Sequence, residues 1–147
     1  MPRFEELAVG QVASLVSMVD DARIRAFADV SGDSNPMHLD AAFGSRTRFG
    51  GPIAHGMLSA SFISAVIGTM LPGPGAIYVS QSLRFTAPVR AGDVITARVE
   101  VVELDPERRR VRLATTCSNQ QGHTVVSGEA LLVVDDVPGP GPGAQRG

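Results

Sequence analysis

The hydrophobic and polar positions of this chain change period several times, and each change marks an element. Residues 11–19 predict a strand. Asp20 or Asp21 then offers an N-cap, and residues 22–30 predict a short amphipathic helix with Ile24, Phe27 and Ala28 on one stripe. Gly32 is its natural stop. A polar, turn-rich loop follows, Asp33-Ser34-Asn35-Pro36-Met37-His38. Residues 39–54 read mostly as loop, with one helical turn near 41–43, closed by Phe49-Gly50-Gly51-Pro52.

Residues 57–70 predict a helix that is apolar nearly all round, the pattern of a helix wrapped by other structure. Pro72-Gly73-Pro74-Gly75 ends it. The remainder alternates at period two. Ile77, Val79, Leu83 and Phe85 alternate with Tyr78, Ser80, Ser82 and Arg84, which predicts a strand. Residues 94–104, 110–118 and 124–134 predict three long strands joined at Asp105-Pro106 and Asn119-Gln120-Gln121-Gly122, an antiparallel meander. One buried helix before such a sheet predicts an α+β fold, with the antiparallel sheet curled round a long central helix.

Composition narrows the class. The 147 residues suit one domain that buries its own core. Thirteen basic and fifteen acidic residues give a net charge of −2 without a basic block, so nucleic acid is not an expected partner. The short run Arg108-Arg109-Arg110 reads as a solvated hairpin end. The single cysteine, Cys117, falls inside a strand pattern and reads as a small core or interface residue; its solitude suits a reducing cytoplasm. The N-terminus is acidic and lacks the apolar region of a signal peptide. The most apolar stretch, residues 57–71, is shorter than the ~20 residues of a bilayer span. Residues 1–137 are the expected domain, and the Pro-Gly run 138–147 is expected to be a disordered tail.

Three groups are candidates for chemistry. Asp33 and His38 sit five apart in a turn. A carboxylate and an imidazole sharing one water can make it nucleophilic and deliver a proton nearby; equally, Asp33 can cap a turn and His38 can be a loop histidine. Gly56 lies where the buried helix begins, and the first N–H groups of a helix lack internal partners and attract anions. The His55 side chain beside it reads as packed or capping rather than catalytic. Ser64, two turns into the apolar helix, either back-bonds to the helix or holds Asp33; Ser59 and Ser61 share that ambiguity. His123 lies in a turn and is expected to be exposed. No Cys/His cluster has metal-ligand spacing, and the glycine-rich stretches match neither a P-loop nor a dinucleotide fingerprint, so no cofactor or metal is expected.

Asp33-Ser34-Asn35-Pro36-Met37-His38 resembles the hydratase 2 motif D-x-N-P-x-H of MaoC-like enoyl-CoA hydratases. Ile53-Ala54-His55-Gly56-Met57 resembles that family's entry to the central helix of its hotdog fold, with His55 seventeen residues after His38. Residues 78–85 and Pro88-Val89-Arg90-Ala91-Gly92-Asp93 resemble the strand and turn that follow, so the resemblance covers roughly residues 5–134. It implies a hotdog fold and an (R)-specific enoyl-CoA hydratase acting on an acyl-CoA thioester. It implies that Asp33 and His38 are catalytic, Gly56 supplies an oxyanion N–H, and Ser64 orients the aspartate. It also implies a homodimer. No position carried over is substituted, and the short length resembles the small bacterial hydratases that feed polyester synthesis. A dehydratase of acyl-carrier-protein or specialised acyl thioesters would use the same Asp/His chemistry. A thioesterase on this fold would carry its carboxylate on the central helix, where residues 57–70 contain none. A binding module with a vestigial site is the non-enzyme alternative, which the presence of both Asp33 and His38 disfavours.

Overall fold

A computed structural model of the chain describes residues 3–136; the tail expected at 138–147 lies outside the described residues. The first strand, β1, is Val12–Val19. Asp20 caps the helix that follows, α1 at Asp21–Ser31, its carboxylate accepting from the Arg23 N–H at 2.8 Å. Gly32 closes α1 in the left-handed conformation (φ 80°), where a side chain would be strained. The next segment is more helical than the sequence pattern predicts. Asn35 caps a single turn, α2 at Pro36–Leu39, with Pro36 at its first position, and Asp40 caps α3 at Ala41–Ser45. A one-turn helix shows too little periodicity for pattern reading to find, so His38 stands on a helix rather than in open loop.

The central helix, α4, is Gly56–Thr69. Strands β2 (Ala76–Gln81), β3 (Arg84–Phe85), β4 (Asp93–Asp105), β5 (Arg110–Ser118) and β6 (Thr124–Val134) complete the chain. The sheet is six-stranded and antiparallel, in the order β1-β4-β5-β6-β2, with β3 also on β6. The meander β4-β5-β6 follows the sequence expectation. The single strand expected across 77–85 is instead two: the β2 register shifts between Tyr78 and Ser80, and the chain then crosses over Gly128. A Cβ on Gly128 would lie 1.8 Å from the Ser82 carbonyl oxygen, so the crossing requires glycine there.

The helix packs against β1 and β4 to β6 on one face of the sheet. Leu58, Phe62, Ile63, Val66 and Ile67 enter one core with Ile95, Ala97, Val99, Val111, Leu113 and Leu132. α4 is not enclosed all round within one protomer, however. Met57, Ser61, Ser64 and Gly68 are exposed, at helical spacings that place them on one stripe. Beside it, β2 leaves Ile77, Tyr78 and Val79 40–50% exposed, so neither face of its period-two alternation is buried within the protomer. Edge position decides this: β2 pairs only with β6.

Candidate active site

The site is assembled where α2 meets the start of α4. The His38 imidazole donates from Nδ1 to the Ile53 carbonyl at 2.7 Å, because a carbonyl oxygen can only accept. That bond commits the ring and leaves Nε2 as its free nitrogen in the neutral form. Nε2 lies 3.9 Å from Asp33 Oδ2. This is too long for a direct hydrogen bond, yet one water can reach both atoms at about 2.8 Å. The other carboxylate oxygen, Oδ1, accepts the Asn35 N–H at 3.2 Å, so Asp33 both caps its turn and faces His38. Its side chain is 51% exposed and that of His38 10%.

His55 is packed, as expected, but makes no capping hydrogen bond. It is 2% exposed, stacks on His38 with ring centroids 3.8 Å apart, and contacts Phe27 at 5.0 Å. Its Nε2 donates to the Asp33 carbonyl at 2.9 Å. Asp33, His38 and His55 therefore place ligand-type atoms within 4.8 Å of one another. The two imidazoles stack at 30° instead of converging on one point, so the three residues do not form a ready-made metal site.

Gly56 is the first residue of α4, and its N–H has no intrahelical acceptor. Its φ is not left-handed; what it provides is room. A Cβ here would lie 2.6 Å from the Phe85 ring. Gly56 lines a cleft of about 440 Å³ with Ile53, Ala54, Met57, Ser59 and Phe85. A second cavity of about 510 Å³ runs along the exposed stripe of α4, lined by Phe27, Met57, Ser61, Ser64, Tyr78 and Leu83. Asp33 and His38 line neither space; the cleft reaches them through Ile53, whose carbonyl holds His38.

The structure brings Asp33, His38 and Gly56 to one end of α4 but sets Ser64 apart. Ser64 lies eight residues after Gly56, about 12 Å along the axis, and no hydrogen bond joins it to Asp33 within the protomer. The residue that touches Asp33 from this helix is its N-cap, His55, which the sequence reading treated as packed or capping. Ser59 is the buried serine of α4, 1% exposed, and the sequence pattern had no means of choosing it over Ser61 or Ser64. His123 is exposed, as its turn position predicted. Burial pushes the Cys117 thiol up to about 12, so it packs as an inert core group beside the Ser59 carbonyl.

An antiparallel sheet packed on one helix, with an Asp–His pair beside the helix N-terminus, defines a hotdog-fold protein with its polar pair at one end of the central helix. The family follows from comparison with known sequences. The chain belongs to the family described as MaoC like domain, whose model matches residues 8–122. It is 53% identical over 131 residues to the 3-hydroxybutyryl-CoA dehydratase of Methylorubrum extorquens, covering 89% of this chain and 83% of that protein. It is 52% identical over 131 residues to the (R)-specific enoyl-CoA hydratase of Rhodospirillum rubrum, covering 89% and 90%. Among solved structures, the (R)-hydratase from A. caviae involved in PHA biosynthesis superposes with a TM-score of 0.86 at 45% identity, covering 89% of this chain and 99% of that one.

Proposed function

We propose that this chain is an (R)-specific enoyl-CoA hydratase, a hydro-lyase that adds water reversibly and syn to a trans-2-enoyl-CoA, giving an (R)-3-hydroxyacyl-CoA. The observation that carries the reading is the 3.9 Å separation of Asp33 Oδ2 and His38 Nε2, with the far side of the imidazole fixed on Ile53. A water held by both groups gives its oxygen to the β-carbon. The pair takes one proton from that water and returns one to the α-carbon on the same face, which makes the addition syn. As the water adds, the thioester oxygen gains enolate charge, and the free Gly56 N–H at the positive end of α4 is placed to receive it.

A thioester laid across that helix end has a space on either side, the two sharing Met57, one for the acyl chain and one for the pantetheine arm. We assign Ser64 to the wall of the second space. The choice of CoA over an acyl-carrier protein follows the relatives at 53% and 52% identity, and supply of polyester monomers follows the A. caviae neighbour. A second copy of this chain is the proposed occupant of the open β2 edge and the exposed α4 stripe, where Ile77, Val79 and Met57 are otherwise left in solvent. Sedimentation showing a fully active monomer would overturn that homodimer. We place the reaction in the cytoplasm, where the buried Cys117 stays reduced; no described helix is long and apolar enough to cross a membrane.

The test is direct. Crotonyl-CoA should lose its enoyl absorbance on addition of the protein, and chiral analysis should find the (R)-3-hydroxy product. Absence of turnover, or an (S) product, sinks the reading.

A further inference from the structure

Two buried side-chain polar atoms among the described residues have no hydrogen-bond partner, His55 Nδ1 and Ser59 Oγ. They belong to His55, the N-cap of α4, and to Ser59, four residues further along the chain. Their needs are complementary. The Asp33 carbonyl accepts from His55 Nε2, so in the neutral ring the proton is on Nε2 and Nδ1 is an acceptor lacking a donor. Ser59 has a hydroxyl proton and, at 1% exposure, no solvent to give it to. Buried polar atoms are rarely left unpaired, and turning a hydroxyl about one side-chain bond is a small adjustment.

We propose that Ser59 Oγ–H donates to His55 Nδ1 and so locks the Nε2–H tautomer that holds the Asp33 backbone, making His55 and Ser59 positioning residues for the Asp33–His38 pair. This inference rests on the Asp–His reading of the site. His55 reaches both members of that pair. It fixes Asp33 through the carbonyl, and it fixes the plane of His38 by stacking at 3.8 Å with 30° between the rings. Phe27 also packs on the His55 ring at 5.0 Å, and at 2% exposure the imidazole has little room to rotate. The 3.9 Å separation that admits one shared water therefore depends on the tautomer of a histidine that does not touch the substrate. The competing arrangement is a serine back-bonded to its own helix, which leaves Nδ1 without a donor and gives Ser59 no part in the site.

Three full-length variants and imidazole ¹⁵N NMR separate these arrangements. His55→Phe keeps a stacking ring and removes the donor to Asp33. His55→Gln keeps a donor near the position of Nε2 and removes the ring. Ser59→Ala removes only the tautomer lock. With crotonyl-CoA, His55→Phe and Ser59→Ala should lower kcat by roughly three- to tenfold at unchanged KM, the loss of one positioning hydrogen bond. His55→Gln should recover most of the His55→Phe deficit. The wild-type spectrum should show His55 protonated on Nε2, with Nδ1 at the position of a hydrogen-bonded acceptor. In Ser59→Ala that resonance should move to the position of a free acceptor nitrogen. A proton on Nδ1 in the wild type, an unmoved Nδ1 signal in Ser59→Ala, or wild-type kcat in both Ser59→Ala and His55→Phe would overturn the proposal. Should His55→Phe fail to fold, the NMR comparison decides alone. A wild type that shows the Ser59-dependent tautomer yet does not hydrate enoyl-CoA would leave this hydrogen-bond chain standing and refute the hydratase reading instead.

Discussion

Gly56→Ala tests the helix-terminal oxyanion site most sharply, because it adds one methyl and keeps the N–H. The added Cβ would lie 2.6 Å from Cδ1 and Cε1 of Phe85, and 3.3 Å from its Cγ. Real Cβ contacts do not come that close, so the ring must move. It can, since Phe85 is 51% exposed on the short strand β3. Overpacking costs about 1–3 kcal/mol. Alanine recovers up to about 0.5–1 kcal/mol over glycine within a helix, less at its first residue. A net loss of about 0.5–2 kcal/mol lowers the melting temperature by roughly 2–6 °C, so the protein should still fold. Activity should respond far more. The methyl and the displaced ring occupy the cleft beside the N–H, and loss of one oxyanion donor typically lowers turnover by ~10²–10³-fold. The decay of enoyl absorbance with crotonyl-CoA gives kcat and KM, and thermal denaturation gives stability. Adding Phe85→Ala should relieve the collision and restore part of the melting temperature while kcat/KM stays low. A Gly56→Ala enzyme with unchanged kcat/KM would show that no substrate oxygen approaches this helix end, and the reasoning would fail.

Asp33→Asn and His38→Gln each keep size and remove a proton-transfer group, so hydration should fall by ~10²–10⁴-fold with the fold intact by circular dichroism; near wild-type turnover in either would remove that residue from the site. Ser64→Ala should leave kcat for crotonyl-CoA nearly unchanged and alter the preference among longer acyl chains, because Ser64 lines the second cavity without bonding Asp33. A drop of roughly tenfold or more in kcat would reinstate an Asp33-orienting role for it, the size expected for a hydrogen bond to a charged group. Cys117, buried and with its thiol pushed up to about 12, should resist iodoacetamide in the native protein at pH 8 and react once urea unfolds it. Rapid native labelling would contradict its place in the core.

Local signals in the sequence determined a good deal. An N-cap at Asp20 or Asp21, of which the structure uses Asp20, Gly32 as a left-handed stop and the meander of β4, β5 and β6 follow from backbone conformation and nearest-neighbour hydrogen bonding, which depend on a few adjacent residues. The nearness of Asp33 and His38 was legible in part: the Asn35-Pro36 cap and first turn lie between them, while the spacing alone left a turn cap and a loop histidine equally open and the family resemblance singled out the pair. The one-turn helix α2 and the break between β2 and β3 were not legible, since neither is long enough to show a period. The role of His55 was out of reach. Its hydrogen bond to Asp33 spans 22 residues and exists only because the sheet carries α4 against α2. The serines of α4 show the limit most plainly. Ser59 and Ser64 are the same residue type on one helix, separated by five positions and so by about 140° around the axis. One is 1% exposed against the core and the other lies open along the second cavity. An all-round apolar sequence does not say which face meets the sheet. Packing against β1 and β4 to β6 chose it, and with it chose which hydroxyl is buried.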